Sequence, residues 1–142
     1  MRVLLIDDDE MVLETLAPGL SDAGFEVETA QDGEIAADRF KRISPDVVVT
    51  DIIMPNREGI ETLIEFKKIA PDIPIIVMSG GGRTHKLDFL DVAEKMGAAA
   101  TLRKPFLPDD LANLIRSVLS DRQLSNDRQN GLDSNHSQKI GV

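Results

Sequence analysis

Short apolar runs alternate with segments of helical spacing along the first 120 residues. Four runs are continuously apolar, which is typical of strands covered on both faces: residues 3–6, 47–50, 73–78 and 99–102. A fifth run, residues 25–29, alternates apolar and polar positions and predicts an edge strand with one wetter face. The pattern therefore predicts five strands separated by helices.

Apolar residues at helical spacing follow each predicted strand. The clearest set lies in the last segment: Leu111, Leu114, Ile115, Val118 and Leu119. Pro18 falls inside the first helical segment, where it should kink or shorten the helix. Five rounds of strand and helix predict parallel strands joined by right-handed crossovers, a doubly wound α/β fold with helices on both faces of the sheet.

Composition sets the extent of the domain. All of the net charge of −9 falls within residues 1–120, because residues 121–142 contain three basic and three acidic residues. That last segment is rich in Ser, Asn and Gln, and its few apolar residues follow no period. We expect one domain over residues 1–120 and a disordered tail over residues 121–142.

The same composition excludes several classes of function. An acidic surface disfavours direct nucleic-acid binding, because phosphates are gripped by positive charge. The chain has no cysteine, which excludes disulfides and thiolate metal sites. No apolar run approaches the roughly 20 residues that span a bilayer. We expect a cytoplasmic protein without membrane insertion.

Polar side chains follow the predicted strands at the point where each strand ends. They are Asp7, Asp8 and Asp9, then Thr50 and Asp51, then Ser79, and finally Lys104. The carboxyl ends of parallel strands form the ligand-binding edge of such a sheet, so these groups should converge. Clustered carboxylates repel one another unless a cation is bound, and oxygen ligands suit Mg²⁺. With a lysine and a hydroxyl nearby, the set predicts an aspartyl-phosphate site.

Residues 1–120 resemble the receiver domain of bacterial response regulators. The resemblance rests on residues 5–10, residues 46–55 with Gly59, residues 75–80, and Gly97-Ala98 leading to residues 104–106. It implies a five-stranded parallel sheet of order 2-1-3-4-5, in agreement with the edge position of residues 25–29. It also implies a cis peptide bond between Lys104 and Pro105.

The resemblance assigns roles to individual residues. Asp51 matches the phosphoacceptor, Asp7 and Asp8 match the acidic pair that binds Mg²⁺, and Asp8 is the direct ligand. The remaining matches are Ile53, which gives its backbone carbonyl to the metal, and Ser79 and Lys104, which contact the phosphoryl oxygens. Asp9 is expected to cap the following helix and not to bind the metal.

Two features depart from the family pattern. The switch position, three residues before the lysine and usually aromatic, is Thr101, and the chain has no Tyr. The segment between Ser79 and Lys104 is a few positions longer than is usual, and Gly80, Gly81 and Gly82 suggest that its first loop is longer and mobile.

The favoured function is a stand-alone phosphorylation switch rather than an enzyme. A histidine kinase or phosphotransfer protein would phosphorylate Asp51. The surface of the fourth helix, fifth strand and fifth helix would then signal to a protein partner. One alternative is a Mg²⁺-dependent aspartyl-phosphate phosphatase with Asp7 as nucleophile and Asp9 as acid. Another is a receiver-like adaptor that no longer transfers phosphate.

Overall fold

The computed structural model describes residues 1–51, 58–80 and 93–141, with side chains for all of these except 58–60 and 125–141. The strands are β1 (Arg2–Ile6), β2 (Glu26–Ala30), β3 (Val47–Asp51), β4 (Ile75–Ser79) and β5 (Ala100–Arg103). The helices are α1 (Glu10–Asp22), α2 (Gly33–Ile43), α3 (Glu58–Ile69) and a C-terminal helix (Pro108–Gly141). Residues 93–95 are also helical, and the rest of the fourth predicted helix lies outside the described residues.

All five strands pair in parallel, in the order β2-β1-β3-β4-β5. This confirms the doubly wound α/β sheet and the edge position of β2. The register aligns one row across the sheet, namely Ala30, Ile6, Thr50, Val77 and Thr101. Asp7 and Asp51 each follow a member of this row by one residue, so both lie at the carboxyl edge of the sheet.

The sheet separates two apolar cores, as continuous apolar strands require. On one face Leu4, Val48 and Val77 pack with α2 and α3, including Phe40 and Phe66. On the other face the alternate strand residues pack with α1 and the C-terminal helix, including Leu5, Val49, Met78, Leu16, Leu20, Leu111 and Ile115. The two cores fix the strands from both sides and so fix the edge that carries the polar residues.

Helix ends follow the local sequence. Asp9 and Asp32 cap α1 and α2, and each side chain accepts a backbone N–H of the first turn. Gly24 follows α1 and Gly97 follows the helical residues 93–95, and their φ values of 101° and 100° are ones that glycine adopts without a Cβ penalty.

Pro18 does not shorten α1, which continues to Asp22, so that part of the prediction was wrong. Pro18 is exposed, and the buried residues Leu16 and Leu20 hold the helix to the sheet on both sides of it. The adjacent Gly19 lets α1 approach Pro108, at the start of the C-terminal helix.

The C-terminal helix continues to Gly141, through the segment for which composition predicts disorder. Each residue added to an existing helix gains a backbone hydrogen bond without a new nucleation step, so a polar segment can extend it. Arg122 still contacts the domain, since its Nη1 donates to the Asp46 carbonyl at 3.2 Å. None of the helices in the described ranges has the length and apolar character that a bilayer crossing requires.

Candidate functional site

Three carboxylates meet at the carboxyl edge of the sheet. Asp7, Asp8 and Asp51 each place a carboxylate oxygen within 4.8 Å of the others. Asp7 is fully buried and Asp51 is buried, whereas Asp8 is exposed. The cluster therefore has one open side, which faces solvent at Asp8.

Asp7 is held by three neighbours from different parts of the fold. Its backbone N–H donates to the Ala30 carbonyl of β2 at 3.1 Å. Its Oδ1 accepts the backbone N–H of Asp9 at 2.9 Å, and its Oδ2 accepts Lys104 Nζ at 2.7 Å. The orientation of this buried carboxylate is therefore fixed at both oxygens.

Lys104 brings a positive charge between two of the carboxylates. Its Nζ lies 2.7 Å from Asp7 Oδ2 and 3.3 Å from Asp51 Oδ2. Its backbone N–H donates to the Ser79 carbonyl at 2.8 Å, and this hydrogen bond holds the Lys104 backbone against the end of β4. The peptide bond between Lys104 and Pro105 is cis, as expected.

The pKa values of this pair reflect burial and mutual attraction. Burial raises the pKa of Asp7 above its ordinary value, and the hydrogen bonds from Lys104 and Asp9 oppose this only in part. Burial alone would lower the pKa of Lys104, but the hydrogen bond to Asp7 and the charge of Asp51 outweigh it. The pKa of Lys104 is therefore raised, so this side chain is a permanent cation at neutral pH.

Ser79 and Thr50 bring hydroxyl groups to the same region. Ser79 is buried at the end of β4, one residue beyond Met78, which pairs with Asp51. Thr50 is also buried, and its Oγ1 donates to the Asp51 carbonyl at 3.0 Å. Of the two, Ser79 lies on the strand between Asp51 and Lys104.

Thr101, which the resemblance places at the switch position, is half-buried on β5 and pairs with Val77. Thr101 belongs to the same cross-strand row as Ile6 and Thr50, the residues that directly precede Asp7 and Asp51. Ile53, expected to contribute a carbonyl, lies outside the described residues, as does the segment from Gly81 onward where the loop after β4 is predicted to be longer.

The role of the Asp9 backbone was not predicted. The sequence predicts Asp9 as a helix cap, and its side chain indeed accepts the N–H of Met11 at 2.9 Å. Its own N–H, however, contacts Asp7. In the sequence, the feature that could have predicted this contact is the helix cap at Asp9. A helix whose capping residue lies two positions after Asp7 brings the backbone of that residue close to the Asp7 carboxylate.

The donor set fits a hard divalent cation. Three carboxylates supply oxygen ligands, and their mutual repulsion favours a bound positive charge. Lys104 neutralises only part of the cluster, so the site retains net negative charge when all three carboxylates are ionised.

Comparison with known proteins gives a family match over most of the chain. The family model of the response regulator receiver domain matches residues 3–116. Response regulators MprA from Mycolicibacterium vanbaalenii and Mycobacterium leprae are both 36% identical over 120 residues, or 84% of this chain. The chain spans about half the length of these relatives, 50% and 51% respectively.

Solved structures show the same fold. A response regulator receiver domain protein from Clostridium thermocellum has a TM-score of 0.78 at 35% identity, with 87% of this chain and 97% of that chain covered. The chemotaxis response regulator CheY4 of Vibrio cholerae has a TM-score of 0.72 at 29% identity, with 82% and 97% covered. By fold, by family model and by its relatives, this chain belongs to the response regulator receiver domain family.

Proposed function

We propose that this receiver domain is a cytoplasmic phosphorylation switch that accepts a phosphoryl group on Asp51. The donor would be a histidine kinase or a histidine phosphotransfer protein. The observation that carries the proposal is the position of Lys104, whose ammonium lies within reach of both Asp7 and Asp51. A cation shared by two buried carboxylates can transfer its contact to phosphoryl oxygens when Asp51 is modified.

Receiver domains bind Mg²⁺ at an acidic pocket, and the residues of this chain fit that ion. Asp7, Asp8 and Asp51 would hold it, together with the backbone carbonyl of Ile53. Asp8 is the proposed direct ligand, in keeping with its exposed position at the open side of the cluster. When bound, the ion neutralises the carboxylates and the charge on the transferred group.

The proposed reaction needs few protein groups. A carboxylate oxygen of Asp51 attacks phosphorus, an O–P bond forms, and the P–N bond to the donor imidazole breaks with its electron pair returning to that ring. Lys104 then pairs with a phosphoryl oxygen, and the Ser79 hydroxyl donates to another. Receiver domains are regulatory phosphoacceptors and not conventional enzymes, so we expect at most slow self-catalysed phosphorylation and dephosphorylation.

A groove beside Lys104 gives the phosphodonor a surface to contact. It encloses about 280 Å³ and is lined mainly by apolar groups of α1 and of the segment after β5, including Met11, Leu16 and Phe106. Because Lys104 lines the same groove, a partner bound there would reach the carboxylates.

The output surface is proposed to comprise the fourth helix, β5 and the start of the C-terminal helix. Thr101 on β5 replaces the usual aromatic residue, so a moving aromatic ring at this position is not the signal. The net charge of −9 favours a protein target over direct contact with nucleic acid.

The alternatives are less well supported. A phosphatase with Asp7 as nucleophile needs an accessible carboxylate, whereas Asp7 is fully buried and both of its oxygens accept hydrogen bonds. An adaptor that no longer transfers phosphate has no need to keep Asp8 close to Asp51, or Lys104 in contact with Asp51.

Phosphate labelling tests the proposal. The wild-type chain and its Asp51→Asn and Asp7→Asn variants are incubated with Mg²⁺ and a small phosphodonor, and the intact mass is measured. We expect wild type to gain one phosphate and Asp51→Asn to gain none. A phosphate mapped to Asp7 would support the phosphatase, and no labelling of wild type would support the adaptor.

A further inference from the structure

Asp9 joins the first helix to the acidic pocket through three of its groups. Its side-chain Oδ1 accepts the Met11 N–H at 2.9 Å, and its carbonyl accepts the N–H groups of Val12 and Leu13 at 3.1 and 3.2 Å. Its own N–H donates to Asp7 Oδ1 at 2.9 Å. The cap that starts α1 therefore also determines where this N–H points.

That N–H occupies one of the two oxygens of Asp7. Lys104 occupies the other, so the two contacts together fix the rotation of the carboxylate. Asp7 is fully buried, and water therefore does not replace a donor that moves away. If the cap loosens, Asp7 Oδ1 loses the hydrogen bond from the Asp9 N–H. The carboxylate can then rotate, so that Oδ2 no longer points at Lys104 and the group no longer stays beside Asp8 and Asp51.

From these contacts we infer that Asp9 is a positioning residue for the metal site and acts through Asp7. Among the described residues, the carboxylates whose oxygens lie within 4.8 Å of one another are Asp7, Asp8 and Asp51, and Asp9 is not among them. Asp9 therefore affects the site through the geometry of its backbone. The inference rests on the proposed function, because it assumes that the cluster binds Mg²⁺.

The chain contains a matched control for this inference. Asp32 caps α2 as Asp9 caps α1, and its Oδ1 accepts the Ile35 N–H at 2.8 Å. The α2 cap lies in the loop after β2, the edge strand, and Asp32 is not part of the carboxylate cluster. Substituting either cap by alanine should lower thermal stability to a similar degree, but only Asp9→Ala should alter the pocket.

The experiment is Mg²⁺ titration by isothermal calorimetry on wild type, Asp32→Ala and a series at position 9 (Asn, Ser, Gly and Ala). We expect Asp9→Ala to bind Mg²⁺ about tenfold more weakly, as is common when a group that orients a ligand is lost. Asp32→Ala and Asp9→Asn should stay within about twofold of wild type, because the α1 cap is intact in both.

The series also separates geometry from charge. All four substitutions remove the same negative charge, so affinity that follows capping ability, with Asn and Ser above Ala, supports the inference. Equal weakening in all four would overturn it, as would equal weakening in Asp32→Ala. If Asp9→Ala does not fold, Asp9→Gly replaces it as the poorer cap: weaker Mg²⁺ binding in Asp9→Gly than in Asp9→Asn and Asp9→Ser supports the inference, and equal binding in all three overturns it.

The result also distinguishes this inference from the proposed function. If wild type binds Mg²⁺ and Asp9→Ala binds it equally well, the positioning role is wrong while the switch proposal stands. If wild type does not bind Mg²⁺, both are wrong.

Discussion

Lys104 lies closer to Asp7 than to the proposed phosphoacceptor, at 2.7 Å from Asp7 Oδ2 compared with 3.3 Å from Asp51 Oδ2. Replacing it by methionine removes the charge and leaves a fully buried carboxylate without this ionic partner. We expect Lys104→Met to lower the free energy of unfolding by about 2 kcal/mol without metal. Saturating Mg²⁺ should reduce the loss, because the ion supplies positive charge.

Urea unfolding followed by circular dichroism, with and without Mg²⁺, measures this effect. Lys68→Met, at an exposed position on α3, is the control and should change stability by less than about 0.5 kcal/mol. A Lys104→Met protein as stable as wild type in the absence of metal would contradict the prediction.

Asp8 should separate metal binding from folding. It is exposed, so Asp8→Asn should not lower the free energy of unfolding without metal, and the loss of its repulsion toward Asp7 should raise that free energy slightly. Because Asp8 is the proposed direct ligand, the Asp8→Asn substitution should nevertheless weaken Mg²⁺ binding at least tenfold in calorimetric titration. Asp22→Asn, which also removes one exposed carboxylate, serves as the control. Unchanged Mg²⁺ affinity in Asp8→Asn would exclude Asp8 as a ligand.

Lys67 should give the protein a stability change at alkaline pH. Its Nζ donates to the carbonyls of Ile73 and Pro71 at 3.0 and 3.4 Å, yet burial lowers its pKa below the ordinary 10.5, with the charge of Asp72 opposing. Between the lowered pKa and 10.5, the unfolded chain binds more protons than the folded one, so stability rises with pH.

The comparison is with Lys67→Met, which lacks the titrating group. Over this alkaline window the unfolding free energy of wild type should rise relative to that of the variant, as measured by urea unfolding at a series of pH values. A relative decrease with rising pH would show that the pKa is raised in the folded protein.

Gly19 should not tolerate a side chain. A Cβ at this position would overlap the Cβ of Pro108, where α1 meets the start of the C-terminal helix. We expect Gly19→Ala to lower the unfolding free energy by about 1–3 kcal/mol, although alanine is the better helix former. Combining it with Pro108→Gly, which removes the opposing ring, should recover part of the loss in a double-mutant cycle. Additive losses would contradict a direct overlap.

Truncation tests the domain boundary that the sequence places near residue 120. Arg122 donates to the Asp46 carbonyl at 3.2 Å, so a chain ending at Gln123 should keep wild-type stability within about 0.5 kcal/mol. A chain ending at Ser120 loses this contact and should be less stable by about 1 kcal/mol. Thermal unfolding of the two truncated chains beside the full chain measures the difference. Equal stability of both would place the boundary at residue 120 or before.

The sheet could be predicted because its strands are continuously apolar and followed by helical segments. The convergence of Asp7, Asp51 and Lys104 followed from the rule that parallel strands present their carboxyl ends at one edge. The nearer partner of Lys104 was not predictable, because it depends on side-chain geometry between strands β1 and β5, which are not adjacent. The continuation of the C-terminal helix was missed because composition indicates what can be buried, not how far an existing helix extends.

The contact between Lys104 and Asp7 joins positions 97 residues apart, and the acidic pocket therefore depends on nearly the whole chain. A partly folded intermediate with β1 and β3 assembled but β5 undocked would bring Asp7 and Asp51 together without their counter-cation. Such an intermediate carries unbalanced repulsion and is disfavoured, which makes folding of the domain more cooperative. If the pocket binds Mg²⁺ as proposed, the ion would also stabilise the native state, because it binds only the complete pocket.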